Sequence, residues 1–217
     1  MDRNEYFKLE RQSAIARSVM SLAEDHGDRF STGLLEEIVT EGYDRLAVTA
    51  TVTQFLGNLS EKLARQRLRA LSKLDGSAPD DRPTVLFLCV HNAGRSQMAL
   101  GWLQHLGGEA VMGYSGGSAP ASEINPVAIA AMAEVGIDIT GEFPKPWADE
   151  IVRASDVVVL MGCGDACPVY PAKRYVEWTL DDPAGGDLEL VRRVRDDIRT
   201  RVEILLAELG VGTSLPV

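Results

Sequence analysis

Residues 84 to 96 read TVLFLCVHNAGRS, and this stretch decides the fold of the second part of the chain. Thr84 to Val90 is an almost unbroken apolar run, typical of a strand that is buried on both faces of a parallel sheet. The segment Ser96 to Leu106 follows closely and predicts a helix. The loop between strand and helix places Cys89 and Arg95 six positions apart.

A strand, a short loop and a helix in this order predict a binding site for a small oxyanion. The loop can turn its backbone N–H groups inward, and the helix adds the positive end of its dipole. Arg95 can grip the anion with two N–H groups, and Ser96 can donate a hydrogen bond to a Cys89 thiolate. We therefore expect Cys89 to be a nucleophile; the alternative is a small core residue. Asn92 and Gly94 suit positive φ angles. The expected oxyanion-binding residues are Val90, His91, Asn92, Ala93, Gly94, Arg95 and Ser96.

After this stretch, short β-rich runs alternate with helical segments, which predicts a small doubly wound α/β fold. The other predicted strands are Ala110 to Ser115, Val157 to Met161 and Lys173 to Glu177. The other predicted helices are Pro126 to Val135, Pro146 to Ala154 and Asp187 to Leu209. The fold class is thus α/β with a four-stranded parallel sheet. Ligands of such sheets bind beyond the carboxyl ends of the strands, where Cys89 lies.

The first part of the chain has only helical periodicity, with apolar residues three or four positions apart, and it predicts three helices. Ser31 or Thr32 is a suitable start for the second helix, and Gly27 and Gly42 are suitable ends. Residues 75 to 83, DGSAPDDRP, have the composition of a linker. We therefore expect an all-α three-helix domain over residues 1–80 and the α/β domain over residues 81–217.

The chain carries a net charge of −10, and residues 83–217 hold 18 acidic and 10 basic side chains. Such a domain repels nucleic acid and anionic lipid, so an anionic ligand has to be held by a local device. No apolar run approaches the roughly 20 residues of a membrane helix, and the first residues carry no targeting signal. We therefore expect a cytoplasmic protein that binds neither nucleic acid nor membrane, in which the three cysteines are thiols.

The segment VLFLCVHNAGRSQMA resembles the active-site loop of the low-molecular-weight protein tyrosine phosphatase fold and its arsenate reductase branch. The later segments GSAPASEINPVAIAAMAEVGIDIT and LDDPAGG also resemble the reductases, so the resemblance covers about residues 83 to 209. It implies that Cys89 is the nucleophile and that Arg95 and the loop amides bind the oxyanion. It also implies that Asp182, beside Pro183, is the general acid, with Asp181 as the alternative. An acid is needed because hydroxide is a poor leaving group.

The other two cysteines distinguish a reductase from a phosphatase. Water hydrolyses the cysteine-bound intermediate of a phosphatase, whereas a reductase needs a second thiol. Cys163 and Cys167 follow the strand that ends near Met161, so they are expected at the same sheet edge as Cys89. The resemblance to thioredoxin-coupled reductases implies that Cys163 resolves the intermediate and that Cys167 presents the disulfide to the reductant. The spacing between them is shorter than in most of that branch.

We therefore predict an enzyme that reduces arsenate to arsenite for arsenic detoxification, with thioredoxin as reductant and with no cofactor or metal. Three alternatives stay open: a low-molecular-weight protein tyrosine phosphatase, a reductase coupled to mycothiol and mycoredoxin, and a catalytically idle oxyanion-binding or regulatory module. Phosphatases of this fold carry tyrosines after the Asp-Pro pair, whereas Asp182 and Pro183 are followed by AGG, which favours a small inorganic substrate. Leu100 replaces a potassium-binding glutamate of related reductases, so we predict no potassium dependence. We expect the His91 side chain to point into solvent, although it could tune the thiolate.

The three N-terminal helices resemble an extension of some actinobacterial arsenate reductases. Three amphipathic helices bury a limited core alone, so we expect them to form a homodimer with a second copy. Basic residues from Lys62 to Lys73 would suit a DNA-binding module. Acids bring residues 1–82 to −2, however, so a solvated helix face is the better interpretation.

Overall fold

A computed structural model describes residues 3–77, 81–162, 169–171 and 173–212. The chain divides into two compact units, Met1–Ser72 and Lys73–Val217. The first unit is helical, and the second alternates strands with helices. None of the helices in the described ranges has the length and apolar character needed to cross a membrane.

The first unit contains the three predicted helices. They are α1 (Arg3–His26), α2 (Thr32–Ala47) and α3 (Leu56–Leu74). Ser31 caps α2, because its side chain accepts a 3.3 Å hydrogen bond from the backbone N–H of Leu34. Gly27 follows α1 as expected, but the prediction that Gly42 ends a helix is wrong. Gly42 is buried inside α2 near Leu63 of α3, so tertiary packing overrides the low helix propensity of glycine.

The second unit is built on a four-stranded parallel sheet. Its strands are β1 (Thr84–Cys89), β2 (Met112–Gly117), β3 (Val157–Leu160) and β4 (Arg174–Glu177). Its helices are α4 (Arg95–Gly107), α5 (Pro126–Ala133), α6 (Asp149–Ala154) and α7 (Leu188–Glu208). The strand order β2-β1-β3-β4 confirms the doubly wound fold class, and it places the carboxyl end of β1 where the order reverses.

Two predicted boundaries differ from the structure for identifiable reasons. The strand predicted to start at Ala110 begins at Met112, because Gly108–Ala110 forms a turn of 3₁₀ helix. The helix predicted to start at Pro146 begins at Asp149, because Pro146 instead forms an isolated parallel bridge with Gly117. The second difference matters for the site, since it holds the chain before α6 against the end of β2.

The core of this unit is centred on β1, all of whose six residues are buried. Val85, Phe87 and Cys89 point into a cluster with apolar residues of α4, α5 and α7. Leu86 and Leu88 are also buried but lie outside that cluster, on the opposite face. Each such side chain contributes about 1.5 to 3 kcal/mol on burial. Cys89 is therefore fixed at the end of the most deeply buried strand.

Candidate active site

The loop that follows β1 turns its carbonyl groups outward. Residues 118 to 125 run alongside it and donate four backbone hydrogen bonds to its first half. These bonds are Ser118 N to Cys89 O (3.3 Å), Ala119 N to Val90 O (2.9 Å), Ala121 N to His91 O (2.9 Å) and Asn125 N to Ala93 O (2.9 Å). Gly94 O accepts from the N–H groups of Gln97 and Met98 in the first turn of α4. With these carbonyls occupied elsewhere, the loop is left with its N–H groups for an anion.

Cys89 is 3% exposed, and its sulfur lies beside this loop. The backbone N–H of Asn92 points at it, with a distance of 3.2 Å between nitrogen and sulfur. Ser96 Oγ lies 3.0 Å from the sulfur. Ser96 Oγ already accepts a 2.8 Å hydrogen bond from Asn92 Nδ2, so its own hydrogen is available for the sulfur. Two hydrogen-bond donors therefore face Cys89 Sγ.

Asn92 connects the loop to the chain behind it. Its φ of 48° is the only positive φ of a non-glycine residue in the described part of the chain, as its place in a tight loop predicts. The side chain is fully buried. Asn92 Oδ1 accepts hydrogen bonds from the backbone N–H of Lys145 at 3.0 Å and from Gln97 Nε2 at 3.2 Å. A side chain with partners on both groups can hold the left-handed backbone in place.

Gln97 and Lys145 form a second layer behind the loop. Gln97 Nε2 also donates to Asn92 O at 3.0 Å and to Phe143 O at 3.1 Å. Lys145 is 0% exposed, and its ammonium group bonds to Glu142 Oε2 at 2.9 Å and to Phe143 O at 3.2 Å. Sequence reasoning missed both residues, because neither contacts the anion site. The bridge between Pro146 and Gly117 and the hydrogen bond from Gly117 N to Lys145 O (2.9 Å) help to hold residues 142–145 at the back of the loop.

A late loop approaches from the side of Arg95. The carboxylate of Asp182 lies 3.6 Å from the Arg95 guanidinium, and its side chain is 63% exposed. Pro183 reaches Gly94: a Cβ built on Gly94 would lie 3.2 Å from Pro183 Cγ. The expectation of a positive φ at Gly94 is wrong, since its φ is −128°. A side chain at this position would need Pro183 to shift slightly, because the late loop packs against the Cys89 loop.

These segments enclose a pocket of about 250 Å³. Its lining residues are Cys89, His91, Ala93, Gly94, Arg95, Ala121, Glu123, Asn125, Pro126, Asp182, Pro183 and Ala184. Apart from the imidazole of His91, none of these described lining residues carries an aromatic ring. A pocket of this volume accommodates a small oxyanion.

The structure thus brings Cys89, Arg95, Asp182 and the loop from Val90 to Ser96 to one pocket. Cys163 and Cys167 lie outside the described residues. Glu123 also lines the pocket and was not anticipated, because no local pattern marks it. Leu100, the position discussed for potassium, is buried in the apolar core cluster.

Comparison with known proteins identifies the family. The family model described as low molecular weight phosphotyrosine protein phosphatase matches residues 84–214. A model described as the N-terminal domain of protein-tyrosine-phosphatase-like proteins matches residues 15–72. A tyrosine phosphatase of Erwinia amylovora shares the fold, with a TM-score of 0.55 at 15% identity over 61% of this chain and 96% of that one.

More similar proteins are arsenate reductases. Arsenate reductase 2 of Staphylococcus epidermidis is 43% identical over 127 residues, which cover 57% of this chain and 95% of that protein. The arsenate reductase of Staphylococcus aureus is 41% identical with the same coverage. The structure of a thioredoxin-dependent arsenate reductase of Corynebacterium glutamicum matches 90% of this chain and 96% of its own, with 39% identity and a TM-score of 0.83. The chain therefore belongs to the low molecular weight phosphotyrosine protein phosphatase family, and within that family it belongs with the arsenate reductases.

Proposed function

We propose that this enzyme reduces arsenate to arsenite through a covalent intermediate on Cys89. The observation that carries the proposal is the cradle around Cys89, whose carbonyl groups face away from the pocket while Asn92 N–H and Ser96 Oγ face the sulfur. The names of the relatives point to arsenate, and the small pocket agrees with an inorganic substrate. Arsenic detoxification would be the physiological role.

In the first step, the thiolate of Cys89 attacks arsenic while Arg95 and the loop amides bind the equatorial oxygens. Asp182 lies beside Arg95 at the pocket and gives a proton to the departing oxygen, which leaves as water. The ion pair of Arg95 and Asp182 is mostly exposed on the Asp182 side, so the carboxyl can exchange its proton with solvent between turnovers.

In the second step, Cys163 attacks the Cys89 sulfur, and Cys167 then takes over the disulfide and presents it to the reductant. The chain just before Cys163 supports this relay. Met161 N donates a 2.8 Å hydrogen bond to Leu88 O, so the chain still runs beside β1 there. A Cβ built on Gly162 would lie 3.3 Å from Arg95 Nη1. The residue before Cys163 therefore lies against the oxyanion-binding arginine.

Thioredoxin is the reductant that we favour, since the similar Corynebacterium glutamicum protein is named as thioredoxin-dependent. Mycothiol with mycoredoxin is the second candidate. A thiol relay needs a reducing compartment, so we place the reaction in the cytoplasm. The N-terminal helices would serve dimerisation, which sedimentation of the full chain at several concentrations would test.

The decisive experiment couples arsenate reduction to NADPH oxidation through thioredoxin and thioredoxin reductase. We expect turnover by the wild type, no turnover by Cys89→Ser, and loss of multiple turnover in Cys163→Ser. A parallel assay with mycothiol and mycoredoxin identifies the reductant. Hydrolysis of an aryl phosphate that is faster than arsenate reduction and indifferent to Cys163→Ser would instead support a phosphatase.

A further inference from the structure

The proposed reaction needs more protons than Asp182 can supply, and this inference rests on that proposed function. Attack of Cys89 on HAsO₄²⁻, with one proton from Asp182, gives water and a Cys89–S–AsO₃²⁻ adduct. Attack of the Cys163 thiolate then forms the disulfide and breaks the S–As bond. The electron pair of that bond stays on arsenic, which is reduced from As(V) to As(III) while the two sulfurs are oxidised.

The product of that second step would be AsO₃³⁻. This anion is too basic to be released at neutral pH unless its oxygens take up protons. Three protons convert it to neutral arsenous acid. Asp182 has already used its single proton in the first step. A second acid at the pocket would let protonation accompany the breaking of the S–As bond.

Besides Cys89, four charged or titratable side chains line the pocket, each from a different segment. They are His91 in the loop, Arg95 at the start of α4, Glu123 in the supporting segment, and Asp182 in the late loop. A guanidinium does not give up its proton in proteins, and a carboxyl group such as that of Glu123 has to take up a proton from solvent before each donation at neutral pH. Imidazole is the group that exchanges a proton near neutral pH. Among the described residues, His91 is therefore the side chain suited to the second donation.

The ring of His91 is held in a defined orientation. Its Nδ1 lies 3.1 Å from the carbonyl oxygen of Ala119, in the segment that supports the loop. A carbonyl only accepts, so Nδ1 carries hydrogen in this contact. Nε2 makes no hydrogen bond within the described ranges, and it is left for a ligand or solvent. His91 is exposed, as expected, and it also lines the same pocket as Cys89.

We propose that His91 is the second acid of the reaction, and that its Nε2–H gives one proton to an arsenite oxygen as the S–As bond breaks. The other two protons that convert the product to arsenous acid come from solvent water. The hydrogen bond from Nδ1 to Ala119 O orients the ring, as the partner of one ring nitrogen commonly does for a catalytic imidazole. The neutral ring that remains is reprotonated from solvent through its exposed side.

The test compares His91→Asn with His105→Asn. An asparagine amide can replace the Nδ1 donor to Ala119 O but carries no titrating group. His105, in α4, stacks edge-on with Trp102 and is not among the residues that line the pocket, so its variant is the matched control. We measure kcat for arsenate from pH 5.5 to 9 with the full chain and thioredoxin, and the rate at which iodoacetamide alkylates Cys89.

We expect His91→Asn to lower kcat by about a hundredfold and to remove the fall of kcat on the alkaline side. Alkylation of Cys89 should stay within about twofold of the wild type, and free imidazole should restore part of the rate in His91→Gly. An unchanged pH profile in His91→Asn, or alkylation that falls in parallel with kcat, would overturn the assignment. A profile that moves in Glu123→Gln instead would also overturn it. If the wild type itself does not reduce arsenate, the proposed function is wrong. If the wild type reduces arsenate but His91→Asn keeps its pH profile, only the role of His91 is wrong.

Discussion

Ser96 Oγ lies 3.0 Å from Cys89 Sγ, and both atoms are buried at the start of α4. A hydrogen bond to a charged group contributes about 1.5 to 3 kcal/mol. Ser96→Ala should therefore slow alkylation of Cys89 at neutral pH by about tenfold to a hundredfold, with a similar loss in kcat/KM for arsenate. Ser155→Ala is the control, because Ser155 is equally buried and donates to Ile151 O at 2.7 Å. It should leave the alkylation rate unchanged; equal rates in both variants would contradict the role of Ser96.

Asn92 is expected to stabilise the fold as well as the site. In Asn92→Ala, the buried N–H of Lys145 loses its partner, and alanine has to adopt a φ of 48°. Together these changes should lower the free energy of unfolding by about 2 to 4 kcal/mol. Asn92→Gly tolerates the backbone and should recover about 1 kcal/mol of that loss. Urea unfolding of the three proteins measures the difference, and equal stability of the two variants would exclude backbone strain as a contributor.

Gly117 allows the end of β2 to lie very close to the Cys89 loop. A Cβ at this position would lie 2.6 Å from Val90 O and 3.0 Å from Asn92 Cβ, so backbone has to move in Gly117→Ala. We expect weaker oxyanion binding, seen as a KM for arsenate that is raised by about tenfold or more. Binding and catalysis are sensitive to displacements of about 1 Å or less. Gly141→Ala is the control, because nothing lies within 4 Å of a Cβ there. A normal KM in Gly117→Ala would show that the loop is more pliable than its contacts indicate.

Asp182 and Asp181 are adjacent but face different surroundings. Asp182 lines the same pocket as Cys89. Asp181 lines a different surface pocket, together with Thr179 and Arg193. Asp182→Asn should lower kcat for arsenate by about a hundredfold or more, as expected for loss of a general acid, while Asp181→Asn should stay near the wild type. Steady-state kinetics of the two variants decide between the neighbours. The opposite order would assign the acid to Asp181.

The contact between α5 and α7 should make stability depend on pH. Hydrogen bonds from Arg192, together with the charge of Arg195, hold the pKa of the Glu134 carboxyl below its usual range. A carboxyl with a lowered pKa stabilises the fold above its unfolded value, about 4.3 for glutamate, and this contribution is lost as the pH falls further. The wild type should therefore lose more stability than Glu134→Gln between pH 7 and pH 3. Glu203→Gln is the control, since Glu203 pairs with Arg199 within a single helix.

The fold of the α/β unit could be predicted from the sequence because the hydrophobic pattern of each main element lies within that element. The run Thr84–Val90 and the apolar stripe of α7 each specify their element without help from the rest of the chain. Boundaries that depend on tertiary contacts were less accessible. The start of α6 is set by the bridge between Gly117 and Pro146, which no local pattern reveals.

The same distinction applies to the site. Cys89, Arg95 and Asn92 belong to one contiguous loop, so spacing alone could place them together. Lys145 N bonds to Asn92 of that loop across 53 residues of the chain, and Gln97 ties the loop to Phe143 O, 46 residues from Gln97. Lysine is seldom fully buried, so its position in the sequence gave no reason to expect it behind an anion site.

The outward-facing carbonyl groups of the Cys89 loop have a consequence for selectivity. The amide hydrogens and the guanidinium that hold the anion respond to its shape and charge, and phosphate shares both with arsenate. Binding to the loop therefore does not distinguish arsenic from phosphorus at the centre of the anion. Phosphate should therefore occupy the enzyme as an ordinary competitor, and discrimination falls to the later exchange between sulfurs, because arsenic accepts an electron pair there and phosphorus does not.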